Sequence, residues 1–73
     1  MEKEFIIKAY GKAELAMLYS PDISEDAAVK RLSRYIRNTP HLLEKLLSTG
    51  YSSKNHTFTP RQVEIIVNAI GEP

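Results

Sequence analysis

Residues 24–38 read SEDAAVKRLSRYIRN. At 100° per residue, Ala28, Val29, Leu32, Tyr35 and Ile36 fall on one side of a helix, whereas Lys30, Arg31, Arg34 and Arg37 fall on the other. Ser24 supplies an N-cap hydroxyl for the unpaired N–H groups of the first turn, and Glu25 and Asp26 suit the positive end of the helix dipole. The spacing predicts an amphipathic helix to about Asn38 with its apolar half in a core and its cationic half in water. No other segment of the chain is as polarised.

Upstream, KAELAMLY (12–19) uses good helix formers, with Leu15, Leu18 and Tyr19 on one face and the small Ala16 beside them; Pro21 stops it. EFIIKAY (4–10) is β-rich, and alternation places Phe5, Ile7 and Ala9 on one side of a short strand that Gly11 ends. Downstream, Thr39 and Pro40 suit the cap and first position of a new helix with Leu42, Leu43, Leu46 and Leu47 as its stripe, closed by Gly50. YSSKNHTF (51–58) has a polar centre between β-compatible ends and reads as a hairpin or small wing. Thr59, Pro60 and Gln62 then form a capping-box start, and Val63, Ile66, Val67 and Ile70 keep helical spacing to Gly71. The expected fold is therefore mainly α: one domain over residues 1–73, a compact helix-turn-helix bundle of about four helices with a short N-terminal strand and a small β-hairpin, winged-helix-like.

A helix-turn-helix needs a small residue where the bracing helix meets the second helix, and aliphatics opposite it. Ala16 faces Val29 and Leu32 on this reading, and Ile23 plugs the turn. Lys30, Arg31, Arg34 and Arg37 are then candidate contacts to phosphates or base edges of double-stranded DNA, with Lys54 in the wing and Arg61 at the start of the last helix extending the track. The contrary signals are Glu25 and Asp26, which stand where a recognition helix normally meets base edges, and a net charge of only +1. The same basic face also reads as a solvated helix surface. The alternative function is a protein-interaction or homodimerisation module, for which Tyr10, Tyr19, Tyr35 and Tyr51 are the amphipathic candidates.

Several runs carry a resemblance. YGKAELAMLY (10–19) with PDIS (21–24), then Arg31, Leu32, Arg34, Tyr35 and Ile36, and the closing FTPRQV (58–63) with IGEP (70–73), resemble a family of short gut-bacterial proteins catalogued as a domain of unknown function. The similarity covers nearly the whole chain and implies a fold without an activity. Glu14-Leu15-Ala16 followed by Ile23-Ser24 is similar to the opening of excisionase-like and MerR-like winged helices, in which such a helix and turn precede the recognition helix. The turn from Ser20 to Ser24 departs from that pattern in being longer and lacking glycine.

Composition bounds the rest. With 73 residues, 42% hydrophobic and 26% charged, the chain has the make-up of one small folded domain. Cysteine is absent, so disulfides and thiolate metal sites are excluded, and a reducing, cytoplasmic setting is expected. The polar start, with only Phe5-Ile6-Ile7 as an apolar run, gives no expectation of a signal peptide or membrane span. His41 and His56 lie on different elements and lack the close spacing of a metal pair; the glycines at 11, 50 and 71 are isolated and form no phosphate loop. Ser24, Thr39 and Thr59 are explained as caps, and Glu25 and Asp26 diverge on their helix. No catalytic residue, metal, cofactor or small-molecule substrate is expected, and the protein reads as a non-enzyme.

Overall fold

The structure, a computed structural model, describes residues 5–52 and 54–73. Its elements in order are β1 (Tyr10–Gly11), α1 (Lys12–Tyr19), α2 (Glu25–Asn38), α3 (Leu42–Leu47), β2 (Thr57–Phe58) and α4 (Pro60–Ile70). α1 packs chiefly on α2, and α3 on α4, while β1 and β2 pair antiparallel with Tyr10 opposite Phe58 and Gly11 opposite Thr57. The result is a mainly helical domain of four helices, among the described residues, joined by a two-stranded sheet.

Local chemistry sets most boundaries. At the start of α1 the Glu14 carboxylate accepts from the Gly11 N–H at 3.2 Å, and at the start of α2 the Ser24 hydroxyl accepts from the Ala27 N–H at 3.2 Å. α4 begins with the reciprocal capping box: the Gln62 amide oxygen accepts from the Thr59 N–H at 3.0 Å, and the Thr59 hydroxyl accepts from the Gln62 N–H at 3.2 Å. Gln62 is buried, and its amide N–H donates to the Thr49 hydroxyl at 2.9 Å, which ties the start of α4 to the end of α3. α3 closes with the Tyr51 N–H on the Leu46 carbonyl and the Gly50 N–H on the Leu47 carbonyl, at 3.3 and 3.1 Å. This 6→1, 5→2 pattern requires the left-handed φ of 89° that Gly50 adopts.

The core gathers Leu15 and Ala16 from α1, Ala28, Leu32 and Ile36 from α2, Leu42 and Leu46 from α3, and Val63 and Ile66 from α4 around Tyr10, Tyr51 and Phe58. Tyr51 and Phe58 stack with ring centres 5.6 Å apart. Ala16 and Ala28 are both fully buried, and Ile23 in the α1–α2 turn is half-buried against the same core, as the spacing of small and branched residues predicts.

Three expectations are corrected. The strand expected over 4–10 contracts to Tyr10–Gly11: Ile7 and Ala9 are exposed, Phe5 is half-buried with its ring stacked on Tyr10 at 5.4 Å, and Glu4 lies outside the described residues. The expected hairpin over 51–58 is absent as such. Thr57–Phe58 pairs with the remote β1, and the preceding polar loop, of which Ser53 lies outside the described residues, forms no strand among those described. Thr39 caps the end of α2, not the start of α3: its N–H and hydroxyl both donate to the Tyr35 carbonyl, at 3.0 and 2.6 Å. His41, with a left-handed φ of 64°, occupies the N-cap of α3, and Pro40 lies outside that helix.

Tyr19 joins the two halves of the chain, because its hydroxyl donates to the Gly71 carbonyl at the end of α4. Burial, reinforced by the nearby Glu72 carboxylate, pushes its pKa up from 10.0 to about 12. The folded state therefore holds this proton more tightly than the unfolded chain does. The resulting stability is complete below pH 10 and is lost as the pH rises from about 10 to about 12. Tyr19→Phe is expected to cost about 1 kcal/mol at neutral pH and to flatten the stability curve across that alkaline window. Urea unfolding of both forms from pH 8 to 12 checks it; parallel curves for wild type and variant contradict the assignment.

Candidate nucleic-acid interface

α2 owes its exposed cationic row to its register. With Ala28, Leu32 and Ile36 buried on one side of the helix, Lys30, Arg34 and Arg37, spaced i, i+4, i+7, fall on the opposite side; all three are exposed. At 1.5 Å per residue the row spans roughly 10 Å along the helix axis. The ion-pair contacts among the described residues are His41–Glu44 at 3.5 Å and Arg61–Glu64 at 3.8 Å, so no described carboxylate is paired with this row. Asp26, four residues before Lys30, lies on the same flank of the helix and lowers the positive potential at its start.

The other sequence candidates divide. Arg31 is exposed but turned to the flank, where its guanidinium donates to the buried Ser20 hydroxyl at 3.3 Å and so braces the α1–α2 turn. Lys54 is exposed in the loop before β2. Arg61 stands apart: its partner is Glu64, and both line a cleft between α3 and α4 with Lys45, Ser48 and Asn68. The four tyrosines divide too. Tyr10 and Tyr51 are buried, Tyr19 is half-buried with its hydroxyl engaged, and Tyr35, 45% exposed, is the one with a large open face.

Lys12 is the residue that sequence reasoning missed. It begins α1, yet it lines one cleft with Ser33, Ile36 and Arg37 of α2, Leu43 of α3 and Tyr51. Its ammonium lies 5.4 Å from the centre of the Tyr51 ring. The available signal was a cation in the first turn of a helix, where the dipole disfavours it. Lys12 and Arg37 thus line the same cleft from different helices.

Elsewhere the chemistry is sparse. No group of three His, Asp or Glu residues that could hold a metal ion occurs among the described residues, and no described helix is long and apolar enough to cross a membrane. His56 is exposed, and its carbonyl accepts from the Lys12 N–H at 2.7 Å, extending the β1–β2 pairing.

A family model described as "Domain of unknown function (DUF4248)" matches residues 6–73. No curated protein and no solved structure matches the chain.

The unequal settings of two neighbouring arginines separate a bracing role from an exposed one. Arg31→Ala is expected to lower stability by about 0.5–1 kcal/mol through the lost bond to Ser20, whereas Arg34→Ala stays within about 0.5 kcal/mol of wild type as an exposed substitution with no ion-pair partner among the described residues. Thermal melts at one pH and salt concentration compare them, and equal losses contradict the distinction.

Proposed function

We propose that this chain, which belongs to the DUF4248 family, is a non-catalytic module that binds double-stranded DNA through the outer face of α2. One observation carries the reading: Lys30, Arg34 and Arg37 stand in a row on that face, exposed and without an ion-pair partner among the described residues. Holding like charges in a row costs free energy that an anionic backbone would offset. The arrangement of α1, turn and α2, with β1 and β2 bringing the last helix beside them, supports a winged helix-turn-helix assignment, as does the resemblance of the α1 opening to excisionase-like and MerR-like domains.

The distribution of charge along α2 says what such contacts would do. Glu25 and Asp26 occupy the first turn, where they repel phosphates, so contact falls on the middle and C-terminal half of the helix. Arginine and lysine there favour phosphate oxygens, which orient a protein on a duplex without reading its sequence. Arg31 holds the turn and adds a fourth cation at the flank. With a net charge of +1 the long-range attraction is small, and binding depends on low ionic strength.

Fluorescence anisotropy with a labelled duplex tests this. Neutralising three to four phosphates gives log K against log salt a slope of about −2.7 to −3.6, and Arg34→Ala reduces its magnitude by about 0.9. Absence of binding at about 50 mM salt and protein concentrations above roughly 10⁻⁴ M, the upper end of ordinary non-specific affinities, overturns the proposal.

A second reading, contact with a protein partner or a second copy, is favoured by a different surface. Ile6, Ile7 and Leu18 are 64%, 43% and 45% exposed, and Ile6 and Leu18 line a cleft of about 260 Å³ with Phe5, Tyr10 and Pro73, flanked by the charged Lys8 and Glu72. Sedimentation equilibrium is expected to show a dimer at high micromolar concentration that Leu18→Glu disperses. A monomer throughout removes the homodimer version.

A further inference from the structure

We infer that residues 39–41 form a strained hinge across which two copies of this chain exchange halves, residues 42–73 of each completing the core of the other. The inference goes beyond the DNA reading and depends neither on it nor on the exposed surface of Ile6 and Leu18.

The chain divides naturally at this point. α1 packs chiefly on α2 and α3 on α4, so the main helix pairings lie within each half. Core residues of the two halves nevertheless form one cluster, and either half alone would leave apolar surface in water. The links between the halves are specific. Tyr10 pairs with Phe58, the Lys12 N–H donates to the His56 carbonyl at 2.7 Å, and the Tyr19 hydroxyl donates to the Gly71 carbonyl. None of these links requires its two sides to belong to one chain. The surface that fits each half is therefore already built into a second copy, which is the condition for exchange.

The hinge supplies the drive. His41, with its φ of 64°, is the one non-glycine residue at positive φ among the described residues. That conformation crowds Cβ against the following carbonyl oxygen and costs free energy in an L-residue. Pro40 offers no N–H and favours extended backbone at Thr39, whose φ and ψ are −84° and 122°, so α2 and α3 do not merge into one straight helix. Relief comes instead from opening the segment to extended chain. Little holds it closed: Pro40 and His41 are exposed, and the contact of His41 with Glu44, at 3.5 Å, lies on the surface, where an ion pair contributes little. Only three residues separate α2 from α3, and a short connection under strain favours exchange over reclosing.

The test is to refold the full chain from urea at about 1 mM, comparable to the effective concentration at which a short linker holds its own second half. Size-exclusion chromatography with light scattering, run directly after dilution, is expected to show a dimer that persists, because reversal requires the halves to unpack. His41→Gly removes the strain and should lower the association constant on the order of tenfold, whereas His41→Val, β-branched at positive φ, should raise it by a similar factor. Exchange is read out with Gly11→Cys and Thr57→Cys together, in a chain that otherwise lacks cysteine. The two positions lie opposite each other across the β1–β2 pair, and a Cβ at Gly11 meets only the Glu14 Cβ, at 3.7 Å. After oxidation the dimer fraction should run as a covalent dimer on a denaturing gel and the monomer fraction as a monomer.

Circular dichroism confirms folding, and if His41→Val does not fold, wild type against His41→Gly gives the same comparison. Absence of a dimer from both wild type and His41→Val, or equal dimer fractions in wild type and His41→Gly, overturns the hinge. A dimer whose cysteines close within each chain and which Leu18→Glu disperses is the surface dimer: it rejects exchange and leaves that second reading standing. A covalently linked dimer indifferent to Leu18→Glu upholds exchange whether or not the protein binds DNA.

Discussion

The pairing of Tyr10 with Phe58 closes the chain on itself, and the placement of every helix depends on it. Bringing two segments so far apart in sequence together costs on the order of 3 kcal/mol in loop entropy, which a two-residue ladder cannot repay from its backbone hydrogen bonds alone. Aromatic burial closes the gap: Phe58 is 1% exposed and stacked on Tyr51, and burial of a phenylalanine contributes about 3 kcal/mol. The pair of strands is thus less a sheet than a clasp, with aromatic side chains supplying the force and hydrogen bonds the register. It sets β1 immediately before α1 and β2 immediately before α4, so both helices start from one fixed point.

From that clasp the chain extends as two helix pairs, α1 with α2 and α3 with α4. Polar links tie the pairs together and to the ends. Gln62 bridges the start of α4 to Thr49 while completing its own capping box, and Tyr19 reaches the end of α4. No buried side-chain nitrogen or oxygen among the described residues lacks a hydrogen-bond partner, so these links add specificity without the penalty of a stranded polar group. In a domain of this size, where net stability is only a few kcal/mol, such a penalty would be a large fraction of the whole.

The electrostatic organisation follows from the same economy. A nearly neutral chain carries its charges segregated: acids at the start of α2 and cations along its outer face. That segregation gives the molecule a polarity that its net charge conceals, and the proposal of DNA binding draws on it.

Elements with local signals were legible in the sequence. The bounds of α1, α2 and α4 follow from Pro21, Ser24 and the Thr59–Gln62 box, and the apolar and cationic faces of α2 follow from a period of 3.6 residues, because each of these interactions spans four residues or fewer. The basic row of Lys30, Arg34 and Arg37 was legible for the same reason. What the tertiary structure alone decided is the partner of each segment. Alternation in residues 4–10 and β-compatible ends in 51–58 suggest extended chain but carry no information about which strand lies opposite, so a local hairpin and a remote clasp have the same signature. Likewise nothing within a helix indicates that a lysine at its start will line one cleft with an arginine near the end of the next helix, since that placement is set by how α1 packs on α2 and not by any spacing along the chain.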